Sequence, residues 1–552
     1  MGRPAATRPV ARPETATLSG LRTRFRARRD RGIAAGVAGA LLAFLALTTV
    51  QALGISPYLP PDELYHVSYA VVVGDGRLPT LTTPVPVDEV PLMRDDGRPR
   101  RVYTANHPPL FYLPESVVLR LGSPAVALAS GRMLSACFGA AGVLMVAWLA
   151  LILMPSRPRV AIVAAWFVAL LPAVPHYSAF IYNDGLGFLA STATLVAGAL
   201  ALRRGPTRWR LAGLTAAAAA AALTRAPGLA LVGVAGLVAV VAVWLHSRRP
   251  IVQRLLAAVG AGALVGGAAL ASSLWFYLRN WALYGELTAS QYNQALFGFP
   301  AQDHPARLVA SPGYVLDLFD GLWVWTRFPT RQIPVERAVV LVPRVIVLAV
   351  LAGLAVAAAR GLRNLRRRPA AGAALDLPSA PPAQGVAVRR APLVEVASGL
   401  LLAGWLVLAF LMVAWYDGNG GHTHPRYLLP AIGVVALGVA IGLDALPGAR
   451  RGLTTLAVSV ALLALTGFAW SHFVAEVANA DATPAPTPRA VAELLHRDGV
   501  AHPWVLLAAA SLTVLAGLAL QQRGLWLLAT EQPRERPALG PAEAQPEPVA
   551  NP

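Results

Sequence analysis

Residues 227–278 read PGLALVGVAGLVAVVAVWLHSRRPIVQRLLAAVGAGALVGGAALASSLWFYL. Two runs free of Asp, Glu, Lys and Arg, 227–246 and 256–278, flank a short loop that carries Arg248, Arg249 and Arg254. A helix rises 1.5 Å per residue, so about 20 apolar residues cross the ~30 Å hydrocarbon core of a bilayer. Both runs meet that length, and the arginines between them mark where the chain turns back in water.

The same alternation fills the chain. It predicts an all-α integral membrane protein of about 12 transmembrane helices, at 33–54, 127–153, 160–178, 185–202, 210–224, 227–246, 256–278, 338–359, 393–415, 428–446, 452–470 and 503–521. Composition agrees: 56% of residues are hydrophobic, 14% are charged, and the mean hydropathy is +0.55. A soluble chain of this size needs more charge on its surface. The net charge of +19 suggests a nucleic-acid partner at first sight, but its distribution excludes one. The basic residues sit in short loops between apolar runs, as topology-setting charge does. All 47 of them are arginine, which with the Ala, Gly, Pro and Val excess reads as the codon bias of a GC-rich bacterial genome. The single cysteine, Cys137, excludes an intrachain disulfide and a cysteine-based metal site.

With the N-terminus inside, the loops 155–159, 203–210, 247–255, 360–392 and 447–451 and the C-terminal tail are inner, and every one is basic. Loops 55–126, 179–184, 279–337, 416–427 and 471–502 are then outer. The run Ile33–Leu53 is too long for a signal-peptide core and is read as a retained helix. The expected organisation is a cytoplasmic basic tail 1–32, a catalytic transmembrane core 33–360 with outer loops 55–126 and 279–337, a cytoplasmic linker 361–392, C-terminal transmembrane helices 393–521, and a disordered cytoplasmic tail 522–552. The expected location is the plasma (inner) membrane.

Polar chemistry concentrates in the outer loops. The first contains Pro60-Pro61-Asp62-Glu63-Leu64-Tyr65-His66. Proline and acidic residues suit the first turn of a helix, and the spacing puts Asp62, Glu63 and His66 on one face, opposite Leu64, Val67 and Val71. That is an amphipathic interfacial helix; simple helix capping by Asp62 or Glu63 is the alternative. Asn106-His107-Pro108-Pro109-Leu110-Phe111-Tyr112 starts a second amphipathic segment or forms a rigid interfacial turn. Asn183-Asp184 lies at a helix mouth, where either side chain can cap. Arg279-Asn280 follows the aromatic belt Trp275-Phe276-Tyr277; snorkelling explains the aromatics better than the arginine. Asp417-Gly418-Asn419-Gly420-Gly421-His422-Thr423-His424-Pro425-Arg426-Tyr427 has glycines that allow close backbone approach, an arginine able to hold phosphate, and a possible metal set in Asp417, His422 and His424. Carboxylates, histidines and arginines thus gather on one membrane face. A carboxylate can take the proton of an acceptor hydroxyl, and arginines can hold a departing phosphate.

At these residues the sequence resembles the GT-C superfamily of polytopic glycosyltransferases, which includes protein O-mannosyltransferases and the aminoarabinose transferase acting on lipid A. The matches are Asp62-Glu63, His107-Pro108-Pro109-Leu110-Phe111-Tyr112, Asn183-Asp184, Arg279-Asn280 with Tyr284-Gly285, and Arg426-Tyr427-Leu428-Leu429-Pro430, in family order over roughly 30–450. The Pro-Pro-Asp-Glu-x-x-His form looks like a little-characterised bacterial branch. The resemblance implies an inverting transferase that uses a polyprenyl-phosphate-linked sugar donor and a cell-envelope glycan, lipid or protein acceptor on the extracytoplasmic face. Asp62, with Glu63 beside it, would supply the base, and Asp184 would orient the acceptor or, in some members, a divalent metal. His66, His107, Asn183, Arg279, Asn280, His422, His424, Arg426 and Tyr427 would bind substrate, with Arg279 and Arg426 on phosphate. No dedicated metal set is predicted. There is no large soluble outer domain, which disfavours an acceptor that needs one, and no lysine to bind phosphate.

Two other classes compete. A transporter or flippase of a lipid-linked saccharide would carry polar groups near mid-membrane, and only Arg132 and Arg225 depart from the apolar helix interiors. A non-catalytic envelope-assembly membrane protein could share the fold.

Overall fold

The computed structural model describes residues 14–60, 62–297, 304–323, 326–328, 331–332, 337–366, 382–421, 424–448, 452–478, 488–497 and 499–530. His422, Pro61, residues 1–13, much of the expected linker and the tail beyond 530 lie outside them. Helices Arg337–Arg366 and Pro382–Gly418 run into the expected linker 361–392 from either side.

The chain is all-α apart from a two-strand hairpin at Thr326–Phe328 and Arg331–Gln332. Among the described residues nine helices are long and apolar enough to cross a membrane. They cover nine of the twelve predicted spans. Two of the other three are broken or shorter. The span expected at 160–178 breaks into Arg159–Leu170 and Ala173–Ser178. Leu171 takes an extended ψ of 115° ahead of Pro172, since a residue before proline is forced out of the helical region. The span expected at 210–224 is the 15-residue helix Arg208–Ala222, about 22 Å long at 1.5 Å per residue. The last is the 26-residue helix Leu453–Ala478.

The first and last spans pair along small residues. A Cβ at Gly517 would fall 2.7 Å from the Gly39 carbonyl oxygen, and one at Gly524 would fall 2.6 Å from that of Gly32. Without a hydrophobic driving force in lipid, this close backbone approach supplies the van der Waals contact that holds membrane helices together.

The loops separate into two sets. At one end Arg203 donates to the Ile152 carbonyl at 3.0 Å, Arg29 to that of Pro155 at 2.6 Å, and Arg360 to that of Ala445 at 3.4 Å. Here the arginines of the basic loops terminate helices, satisfying C-terminal carbonyls that have no intrahelical partner. At the other end residues 55–126 fold into a unit with its own core, built on Val67, Tyr69, Phe111 and Tyr112 and closed by Ile181, Leu186 and Ala289. The predicted helix forms at Glu63–Gly74, and it is buried on its polar face as well as its apolar one. Gly285, at φ +76°, ends the long helix Ile251–Tyr284 and turns the chain back toward this unit. Loops 171–183 and 285–297 and residues 419–421 meet it there.

Candidate functional site

A cavity of about 530 Å³ opens where these loops meet. Asp62, His66, His107, Asn183, Asp184, Arg426 and Tyr427 line it, so seven residues singled out from sequence converge from three separate loops.

Asp62 precedes the helix Glu63–Gly74, yet its carboxylate does not cap that helix. One oxygen accepts from the Tyr103 hydroxyl and the other from the Arg426 guanidinium. The backbone amide of Asp62 donates to the Tyr182 hydroxyl at 3.3 Å. Burial alone would raise the Asp62 pKa, but the Arg426 charge and the hydrogen bonds from Tyr103 and Arg426 outweigh it and hold the carboxyl below its usual range. The capping alternative therefore fails for Asp62.

Asp184 forms a second pair, with Arg225. Both arginines lie against the Tyr427 ring, Arg225 at 5.5 Å and Arg426 at 5.4 Å from its centroid, so the two cations share one aromatic platform. Asn183 makes no cap hydrogen bond; its amide nitrogen donates to the Thr224 carbonyl at 3.3 Å and its carbonyl oxygen has no partner.

His66 and His107 stack with ring centroids 6.1 Å apart, and His66 Nδ1 meets the Tyr112 hydroxyl at 2.9 Å. Burial first, then the charges of Arg225 and Arg426, hold both imidazoles well below their usual pKa. Each is neutral at pH 7, able to give one hydrogen bond and take another. His424 stands behind Arg426 without reaching the cavity: its Nδ1 accepts from the Arg426 amide at 3.4 Å and its Nε2 meets the Tyr177 hydroxyl at 3.5 Å.

Three expectations take other roles here. Glu63 is fully buried and does not reach the cavity. Its two oxygens accept from Arg132 Nε at 2.8 Å and Nη2 at 2.6 Å, while Arg132 Nη1 donates to the carbonyls of Ala52 and Ile55 at 2.6 and 2.7 Å. Two-point guanidinium geometry turns this pair into a clasp between the first helix end and the first loop. Arg279 also stays out of the cavity, donating to the carbonyls of Leu78 and Pro79 at 3.3 and 2.8 Å. Asn280 braces the loop from behind, reaching the Asn106 and Leu287 carbonyls at 3.4 and 3.3 Å. Asp417 accepts from the Tyr314 hydroxyl at 2.6 Å; His422 of the metal alternative lies outside the described residues, and among those described no group of three or more His, Cys, Asp or Glu is placed to hold an ion.

Sequence reading missed Tyr103, which carries no motif, and undervalued Arg225. The signal for Arg225 is its position: a lone cation in Thr224-Arg225-Ala226-Pro227, where proline announces a turn rather than a helix interior.

No protein-family model matches the chain, and none of the curated proteins matches. Among solved structures it is similar to ArnT from Cupriavidus metallidurans bound to undecaprenyl phosphate, with 17% identity and a TM-score of 0.46 over 90% of this chain and 76% of that one. It is also similar to the Archaeoglobus fulgidus oligosaccharyltransferase in the apo form, with 14% identity and a TM-score of 0.37 over 87% of this chain and 55% of that one. The chain thus spans a little over half the length of the archaeal protein.

Proposed function

We propose that the protein is a membrane glycosyltransferase that moves a sugar, with inversion, from a polyprenyl-phosphate donor to a cell-envelope acceptor. On this reading the cavity faces the extracytoplasmic side of the plasma membrane and both termini are cytoplasmic. The observation that carries it is the composition of the cavity: two carboxylate–arginine pairs beside an apolar wall of Leu411, Met412, Val413 and Trp415 from the Pro382–Gly418 helix. Few substrates other than a lipid phosphate need both.

The acceptor oxygen attacks the anomeric carbon while the carbon–oxygen bond to phosphate breaks. Polyprenyl phosphate leaves with the electron pair, and the acceptor proton goes to a carboxylate. Asp62 is the assigned base. In the structure both its oxygens are engaged, and pairing to Arg426 weakens it as a base. A donor phosphate that drew Arg426 to itself would release Asp62 and raise its basicity as the substrate arrives. Arg426 and Arg225 then hold the growing phosphate charge. Tyr103 keeps its own proton, since burial and the neighbouring Asp62 charge push its pKa far up, and it orients the carboxylate.

The transport alternative drew on Arg132 and Arg225. Arg132 is spent on Glu63, and Arg225 stands in a loop at the cavity, which leaves no specific observation in its favour. The test is to present purified full-length protein with polyprenyl-phosphate sugars and measure release or transfer. Sugar transfer that stops in Asp62→Asn is the expected result. Intact donors in every assay, together with passage of a lipid-linked saccharide across proteoliposomes, would replace this reading with transport.

A further inference from the structure

One wall of the cavity has no part in the chemistry above. The segment after Gly285 contributes Thr288, Ser290, Gln291 and Asn293, and the first loop contributes Asn106. This wall is bonded to the segment that carries Tyr103: Asn293 Nδ2 donates to the Tyr103 carbonyl at 3.4 Å, and Asn280 Nδ2 to that of Asn106 at 3.4 Å. Tyr103 in turn holds Asp62. The wall therefore stands next to the assigned base, away from the apolar helix. The Asn293 side-chain oxygen is buried and has no partner in the protein, an arrangement that asks for an outside donor.

The charges of the cavity narrow what that donor can be. Among the described residues its cations are Arg225 and Arg426, and each carries an aspartate. A carboxylate on the ligand would find no cation at this wall and would face Glu286. Glu286 accepts from the Tyr292 amide at 2.5 Å through one oxygen and keeps its charge. What remains is a set of amides and hydroxyls, which give and take hydrogen bonds in equal measure and so match the hydroxyls of a sugar ring.

We infer that the Asn106–Asn293 wall is the subsite for the sugar of the donor, and that this sugar is polyhydroxylated and carries no acidic group. The inference rests on the glycosyl-transfer reading and adds the substrate class to it.

The test measures binding of three lipids to the full-length protein in nanodiscs: bare polyprenyl phosphate, and polyprenyl phosphate bearing a neutral hexose or a uronic acid. Gln291→Ala and Asn293→Ala are the variants. Gln291 is exposed, so its variant keeps the fold even if loss of the Asn293 brace disturbs Tyr103. Each substitution is expected to weaken the hexose lipid about three- to tenfold, the effect of one neutral hydrogen bond, and to leave bare polyprenyl phosphate unchanged. Tightest binding of the uronic-acid lipid would overturn the inference, as would hexose-lipid affinity unchanged by both variants. Absence of binding by bare polyprenyl phosphate would instead overturn the glycosyl-transfer reading beneath it.

Discussion

Asp62 and Glu63 are neighbours in the chain and belong to two different regions of the molecule. Asp62 looks into the cavity, 17% exposed, and shares its charge with Arg426 and Tyr103. Glu63 looks the opposite way, 0% exposed, into the seam where Arg132 ties the first loop to the end of the first helix. The first region holds charge where a ligand can exchange for it, and the second holds charge where nothing can. Successive helical residues point about 100° apart, so one step along the chain separates the cavity-facing carboxylate from the structural one. The two regions also depend on each other. The Glu63–Arg132 clasp fixes the start of the helix, and that start aims Asp62.

The sharpest way to break this contrast is to remove each charge alone. Asp62→Asn is expected to lower turnover by about 10²–10⁴-fold, the range of a lost general base, in protein that still folds and inserts. Near-normal turnover in a reconstituted assay would take Asp62 out of the chemistry. Glu63→Gln should act on stability instead. Breaking a buried pair by removing one partner costs about 3–5 kcal/mol, seen as a fall in thermal midpoint, with turnover per folded molecule reduced far less than in Asp62→Asn. Restoring part of that stability with Glu63→Gln combined with Arg132→Met would confirm that an unpaired Arg132 causes the loss.

Arg426→Gln and Arg225→Gln should weaken binding of a polyprenyl phosphate by about 10-fold or more each, since hydrogen bonds to charged groups are worth about 1.5–3 kcal/mol. Equal affinity for the lipid phosphate in both variants would move the phosphate elsewhere. A further consequence concerns pH. His66 and His107 have folded pKa values depressed by burial and by the two arginines. The unfolded chain therefore binds protons near pH 6.5 that the folded chain refuses, and stability falls as pH drops from there toward the folded values. Each histidine is expected to cost up to about 1.4 kcal/mol per pH unit in that window. Thermal midpoints at pH 5 and 7.5 should differ in the wild type and less in His66→Gln. Smallest of all is the expected effect of Arg279→Gln on donor binding: a change below about twofold, because its Nη2 is held by the Leu78 and Pro79 carbonyls and the side chain does not line the cavity. A tenfold loss would return Arg279 to the phosphate site that the resemblance implied.

The contrast between Arg279 and Arg426 shows where sequence reading stops. Both lie beside aromatics at helix ends, and both match the resemblance equally well. Only the path of the first loop decides that Leu78 and Pro79 reach one while Asp62 reaches the other. The fold class, the membrane-crossing runs and the separation of basic from polar loops were legible in the sequence, because hydrophobic length and arginine placement are local properties read directly by the bilayer. The break at Pro172 was legible in principle, and the apolar length of 160–178 concealed it. The cavity itself was legible only as a set of polar residues at helix ends. Which of them face one another, that Arg225 completes the second ion pair, that Tyr103 orients Asp62 and that Glu63 turns away depend on contacts between residues 41 to 364 positions apart. Those distances are set by how helices pack, and no spacing within a single segment records them.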